Sequence, residues 1–133
     1  MTWPDGFMWG TGASSTQCEG AAPASDWWDL EHRGGAPISG DGNGFGERYA
    51  DDFALLAGLG LTHHRLSIEW ARIEPERGVH DADAIAHYRR VLSAARDAGV
   101  VPWVCLHHFT LPRWFNEAGG WQPVNETNYF GHA

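Results

Sequence analysis

A strand-and-helix pattern occurs twice in this chain at a constant interval. The helix stops at Gly60 and Gly99 lie 39 residues apart, and so do the strand ends at Glu69 and His108. Between these landmarks run LTHHRLSIEW, which has a strand's length and composition, the helical segment DADAIAHYRRVLSAARDAG, and a second strand-like run, VVPWVCLHHF. Strands alternating with helices at a fixed spacing define parallel βα units with right-handed crossovers, so the fold class is α/β. Upstream, FMWGTGASS reads as a short first strand. Glu47 to Leu59 carries Tyr49, Phe53, Leu56 and Leu59 at helical spacing before the stop at Gly60. Asp81 or Asp83 is the N-cap of the next helix, which buries Ile85, Tyr88, Val91, Leu92 and Ala95. The apolar run VVPWVCL predicts a parallel strand buried on both faces, with Pro102 tolerated near its start.

Charge and composition narrow the function. With 133 residues and no shift in composition, the chain reads as one domain or part of one. A formal charge of -8 disfavours nucleic acid or an anionic membrane as partner, because both need clustered positive charge. All 9 basic residues are Arg, so phosphate loops and Schiff-base chemistry lack their lysine. The amino-terminal MTWPDGFMWG has no basic leader region and no apolar run approaches a membrane span, so a cytoplasmic location is expected, with Cys18 and Cys105 as free thiols. The 8 Trp, 6 Phe and 3 Tyr are enough to form the flat apolar platforms that carbohydrate pockets use, and that ordinary cores also use.

Polar clusters fall where the strands end: TQCEG, then EW, then HHF, then NET. In α/β enzymes those positions project into the mouth above the sheet on a rigid support. Other motifs carry less. His63–His64 and His107–His108 are adjacent pairs on strands, so each pair splits between opposite faces and serves no common metal; no metal ligand set is expected. DGNGFGERYADD imitates a calcium loop but places Phe45 where an oxygen is needed, and so reads as a Gly-rich loop before a helix. GTGASS lacks the third glycine of a dinucleotide fingerprint. Arg65, inside an apolar strand, is expected to meet a carboxylate, either as a structural ion pair or as a charge that keeps a catalytic carboxylate ionised. Asn125 and Glu126 close the last strand-like segment, an amide beside an acid of the kind that orients a sugar hydroxyl and protonates a glycosidic oxygen.

The spacing also exposes a shortfall. By the 39-residue period the fourth strand should end well beyond position 133, yet Glu126 arrives 18 residues after His108, about 21 early. That leaves roughly 13 residues for the crossover, too few for a full helix.

The blocks FMWGTGASSTQCEGA, ERYADDFALLAGLG, HHRLSIEWARIEP, VCLHHFTLPRWF with AGGW, and PVNET together resemble the amino-terminal part of glycoside hydrolase family 1, the β-glucosidase family. The resemblance implies a partial (β/α)8 TIM barrel of roughly four strands, with the helix between strands three and four largely missing near Trp121, and residues 1–133 as a single incomplete catalytic domain. It also implies retaining hydrolysis of β-glycosides without a cofactor. Carried over by position, Glu126 is the general acid/base, Gln17 and His108 are glycone ligands, Asn125 holds the 2-hydroxyl, and Arg65 neighbours the nucleophile. Phe109 stands where the family usually has Trp, which keeps an apolar ring and loses an N–H. Asn-Glu-Thr replaces Asn-Glu-Pro, and Cys18 replaces a bulkier apolar residue.

The family's nucleophile lies beyond these blocks, and Glu19, Glu69 and Glu117 are alternatives by composition only. The expected partner is a small β-glycoside or oligosaccharide. Two other readings compete with a catalytic fragment: a non-catalytic sugar-binding remnant, and a partial barrel whose uncovered sheet edges lead to self-association.

Overall fold

Three parallel strands form one sheet in the order β1-β2-β3, in a computed structural model that describes residues 2–121. Along the chain the elements are β1 (Gly10–Gly12), α1 (Ser15–Glu19), α2 (Asp26–His32), α3 (Phe45–Gly58), β2 (His63–Ser67), α4 (Trp70–Ile73), α5 (Ala82–Asp97), β3 (Val101–Cys105) and α6 (Arg113–Glu117). Gly10 pairs with His63, and His63 with Val101. At Gly10 the two backbones come so close that a Cβ would collide with the His63 carbonyl, so glycine is required for this register.

The sequence repeat has a physical origin in its two helix stops. Gly60 and Gly99 both adopt positive φ, at 78° and 75°. In each case the glycine N–H and the next N–H fold back on the last turn: Gly60 to Ala57 O and Leu61 to Leu56 O, then Gly99 to Arg96 O and Val100 to Ala95 O. This paired closure satisfies the orphan carbonyls and sends the chain straight into the following strand. Helix α5 begins as expected at Asp81, whose Oδ1 accepts from the N–H groups of Asp83 and Ala84 at 2.9 Å each. Helix α3 starts two residues earlier than expected because Asn43 Oδ1 accepts from Phe45 N at 3.1 Å, which makes the calcium-like segment a glycine-rich lead into a helix.

Side chains alternate across β2. His64 and Leu66 face the helices, where Phe45, Phe53, Leu66, Val91, Ala95 and Val100 form the core. The His64 ring lies 5.5 Å from Phe53 and 5.9 Å from Phe45, and Thr11 Oγ1 lies 2.6 Å from its Nδ1. His63 and Arg65 point the other way, His63 toward Trp103 and Arg65 toward Cys105. The adjacent histidines therefore separate to opposite faces, as strand geometry requires.

Two expectations about burial need correction. Leu59 is 67% exposed, because it caps α3 after the last turn that faces the core. β3 is not buried on both faces: Val101, Trp103 and Val104 are 50%, 53% and 40% exposed. Among the described residues β3 is the edge of the sheet, and a parallel strand takes its cover from neighbours on both sides. Between β3 and Trp121 the only helix is the five-residue α6, so no full crossover helix precedes Trp121. The expected fourth strand, with Asn125 and Glu126, lies outside the described residues. Both cysteines are free thiols.

Candidate active face at the strand ends

The loops leaving the ends of β1, β2 and β3 carry the polar clusters singled out by sequence, and each is fixed locally by hydroxyl or carboxylate chemistry. Ser14 caps α1: its Oγ accepts from Gln17 N at 3.3 Å and donates to Gln17 Oε1 at 2.8 Å. That contact occupies the amide oxygen of Gln17 and leaves its NH2 as a donor on an exposed side chain. After β3 the chain makes a tight turn in which Thr110 N donates to His108 O at 3.0 Å while Phe109 takes a φ of 73°. A γ-turn of this hand is strained for a residue with a Cβ, and such strain persists only where surrounding contacts over-determine it.

His108 is half-buried beside Phe109, ring centroids 4.2 Å apart, and its buried Nδ1 has no hydrogen-bond partner among the described residues. Burial first, then the charges of Arg65 and His107, hold its pKa below the usual imidazole value, so the ring is neutral at pH 7. A neutral imidazole offers one donor and one acceptor, a suitable pair for a hydroxyl. The Phe109 ring is 60% exposed. Arg65 departs from expectation: among the described residues its Nη2 contacts Cys105 Sγ at 3.0 Å and it meets no carboxylate. Its side chain lies on the open face of the sheet in contact with water, so its charge does not require an internal counter-ion. Gln17 and His108 thus stand on loops from the same end of the sheet, with Arg65 on the open face below them. Asn125 and Glu126 lie outside the described residues.

By sequence Glu69 is a candidate on composition alone, and the structure gives it a definite environment. The residue is 1% exposed. Its carboxylate accepts from Ser15 Oγ at 2.8 Å, from Thr110 Oγ1 at 2.9 and 3.0 Å, from Ala71 N at 3.3 Å, and at 3.5 Å from Thr16 Oγ1. Its own N–H donates to Tyr88 Oη at 3.1 Å, and Tyr88 in turn donates to Glu19 Oε2 at 2.8 Å. Burial pushes Glu19 up to about 7 against the pull of the Tyr88 hydroxyl and of Arg72, whose Nε is 3.8 Å away. Burial likewise raises the Tyr88 phenol. Hydroxyl residues near the ends of three successive strands, Ser15 and Thr16 after β1, Ser67 closing β2 and Thr110 five residues past β3, were the visible signal of this seam; their convergence depends on register between strands.

Two cavities flank the strand ends. A cleft of about 640 Å³ lies where α1 ends and α3 and α5 begin, among Glu19, Arg48, Arg72, His87 and Tyr88. An apolar groove of about 310 Å³ is lined by Ile68, Trp70, Ile73, Leu106, His107 and Trp121. Gln17 and His108 line neither cavity. Trp70 joins an aromatic cluster with Trp114, Phe115 and Trp121, at centroid distances of 5.5, 4.9 and 6.3 Å.

A parallel sheet whose crossover helices pack on one face, with polar side chains gathered at its strand ends, is part of a (β/α) barrel with the layout of a barrel enzyme. The model of glycosyl hydrolase family 1 matches residues 1–132, and the chain belongs to that family. Klotho of Mus musculus is 34% identical over 148 aligned positions covering 90% of this chain and 15% of its own length. Because 148 positions exceed the 133 residues present, that alignment opens gaps in this chain. Thermostable beta-glucosidase B of Thermobispora bispora is 34% identical, covering 91% of the chain and 27% of its own length. Among solved structures, beta-glycosidase BGL167 superimposes with a TM-score of 0.81 at 46% identity, over 90% of this chain and 29% of that one. The chain therefore spans less than a third of the length of these proteins.

Proposed function

We propose that these residues are the amino-terminal part of a retaining β-glycosidase acting on terminal β-D-glycosides. The family match across residues 1–132 carries this reading, and the placement of Gln17 and His108 at one end of the sheet supports it. In this reading Glu126 protonates the leaving oxygen and then takes a proton from water. Asn125 holds the 2-hydroxyl, while Gln17 through its free NH2 and His108 through its neutral ring bind outer hydroxyls. Phe109 offers an exposed ring to an apolar sugar face, and Arg65 stands toward the position of the second carboxylate.

Retaining hydrolysis needs that second carboxylate about 5–5.5 Å from the first. Glu19 and Glu69 are unsuited to it, because both are buried and hydrogen-bonded within the seam. We infer that these 133 residues by themselves do not turn a β-glycoside over, with Glu117, exposed at the end of α6, the remaining acidic candidate, and that Gln17, His108 and Asn125 carry what sugar binding they have. The test is an aryl β-glucoside assay beside calorimetry with cellobiose. Binding without hydrolysis is the expected result, and turnover abolished by Glu126→Gln would show that the chain carries a complete catalytic pair.

A further inference from the structure

We propose that Glu69 is a positioning residue for the strand-end face, a single buried carboxylate that sets the α1 turn bearing Gln17 and the loop bearing His108 in one fixed relation. The inference rests on the sugar-binding reading for its functional meaning and on geometry for its substance. Its hydroxyl donors come from two separate segments, helix α1 and the loop after β3. Ser15 and Thr16 immediately precede Gln17, while Thr110 follows the turn that contains His108 and Phe109. Ser15, Thr16 and Thr110 are 3%, 4% and 4% exposed, so none of them has water as a substitute partner. Both side-chain oxygens of Glu69 are taken up by donors. Glu69 therefore acts through its neighbours and does not reach a ligand itself.

Strain in the loop gives the contact its leverage. Phe109 holds a φ of 73° and Thr110 N closes that turn on His108 O, so the bond from Thr110 Oγ1 to Glu69 anchors a conformation the backbone would otherwise leave. The β1 side is tied at the same point, with Ser15 N donating to Ser67 Oγ at 2.7 Å and Ser67 Oγ in contact with Ser15 Oγ at 3.2 Å. Loss of the carboxylate leaves buried hydroxyls without an acceptor on both segments at once.

The experiment follows two reporters in the isotope-labelled chain, the His108 ring nitrogens and the Gln17 side-chain amide, alongside cellobiose affinity. Glu69→Ala should displace both signals and weaken cellobiose at least tenfold. Glu69→Gln should restore both in part, since its carbonyl accepts from Thr110 and Ser15 Oγ can turn to accept from its NH2. Thr110→Val is the milder variant and should move His108 while leaving Gln17 in place. Val91→Ala, in the core, should lower the melting temperature with both signals unmoved. The proposal is overturned if folded Glu69→Ala leaves the two signals where they were, if Glu69→Gln displaces them as far as Glu69→Ala does, if Thr110→Val moves neither, or if Val91→Ala moves them as far. If the unaltered chain binds no cellobiose, the sugar-binding reading falls, while the resonance comparison still decides the role of Glu69.

Discussion

The two faces of the three-stranded sheet behave as different materials. On the helix side, His64 and Leu66 of β2 meet Phe45 and Phe53 of α3 and Val91 and Ala95 of α5, and this layer is closed within the described residues. On the other side, His63, Arg65 and Trp103 share a face with little above it, and Trp103 is 53% exposed. The difference shows that a βα unit completes its outer layer locally, since each strand brings its own helix. The inner layer of a barrel is filled by side chains from alternate strands around the whole circle. A solved relative superimposes at a TM-score of 0.81 over 29% of its length, so these residues keep the arrangement they have within a larger barrel.

The sharpest way to break this contrast is to truncate one aromatic on each face. Phe53→Ala, at a fully buried position, should cost ~3–5 kcal/mol in urea unfolding. Trp103→Ala, on the open face, should cost less than about 1 kcal/mol, in the range of ordinary surface substitutions. Equal losses would mean that the open face is packed in solution.

A second effect belongs to the helix side and depends on pH. Glu19 is raised from 4.5 to about 7, so the folded chain holds its proton more tightly than the unfolded chain does. Its contribution is full below pH 4.5 and is lost as pH rises through about 7, on the order of 3 kcal/mol across that window. Burial lowers the pKa of His64 and His87, which acts in the opposite sense because those rings fold in the neutral form. The difference between the unaltered chain and Glu19→Gln, measured by denaturant unfolding from pH 4 to 8, isolates the carboxyl. A difference that does not change with pH would remove Glu19 as the source. The smallest expected effect is at a helix start: Asp81→Ala should cost ~1 kcal/mol through loss of its bonds to Asp83 N and Ala84 N. Thermal unfolding reads this directly.

Much of this architecture was legible along the chain because its causes are local. Gly60 and Gly99 close helices through contacts a few residues long, Asp81 caps through residues two and three ahead, and the stripe at Tyr88, Val91 and Ala95 follows the helical period. The clusters TQCEG and HHF, which hold Gln17 and His108, stood out by their position after strands, while the ligand roles of these two residues come from the family resemblance. For Arg65 an apolar neighbourhood in sequence did not mean burial, because its side chain lies on the open face. The exposed run of β3 was misjudged in the same way, since apolar composition records what a complete barrel would cover.

By its order and spacing the sequence determined the parallel βα units and the helix stops, and by its motif blocks the family to which the chain belongs. Only tertiary structure decided that Ser15, Thr16 and Thr110 converge on Glu69, and that Tyr88 links Glu69 to Glu19. These residues lie on separate segments, and strand register together with the packing of α5 brings them within hydrogen-bond distance. A bond between residues 41 or 54 positions apart leaves no periodic trace, because it depends on where whole elements come to rest.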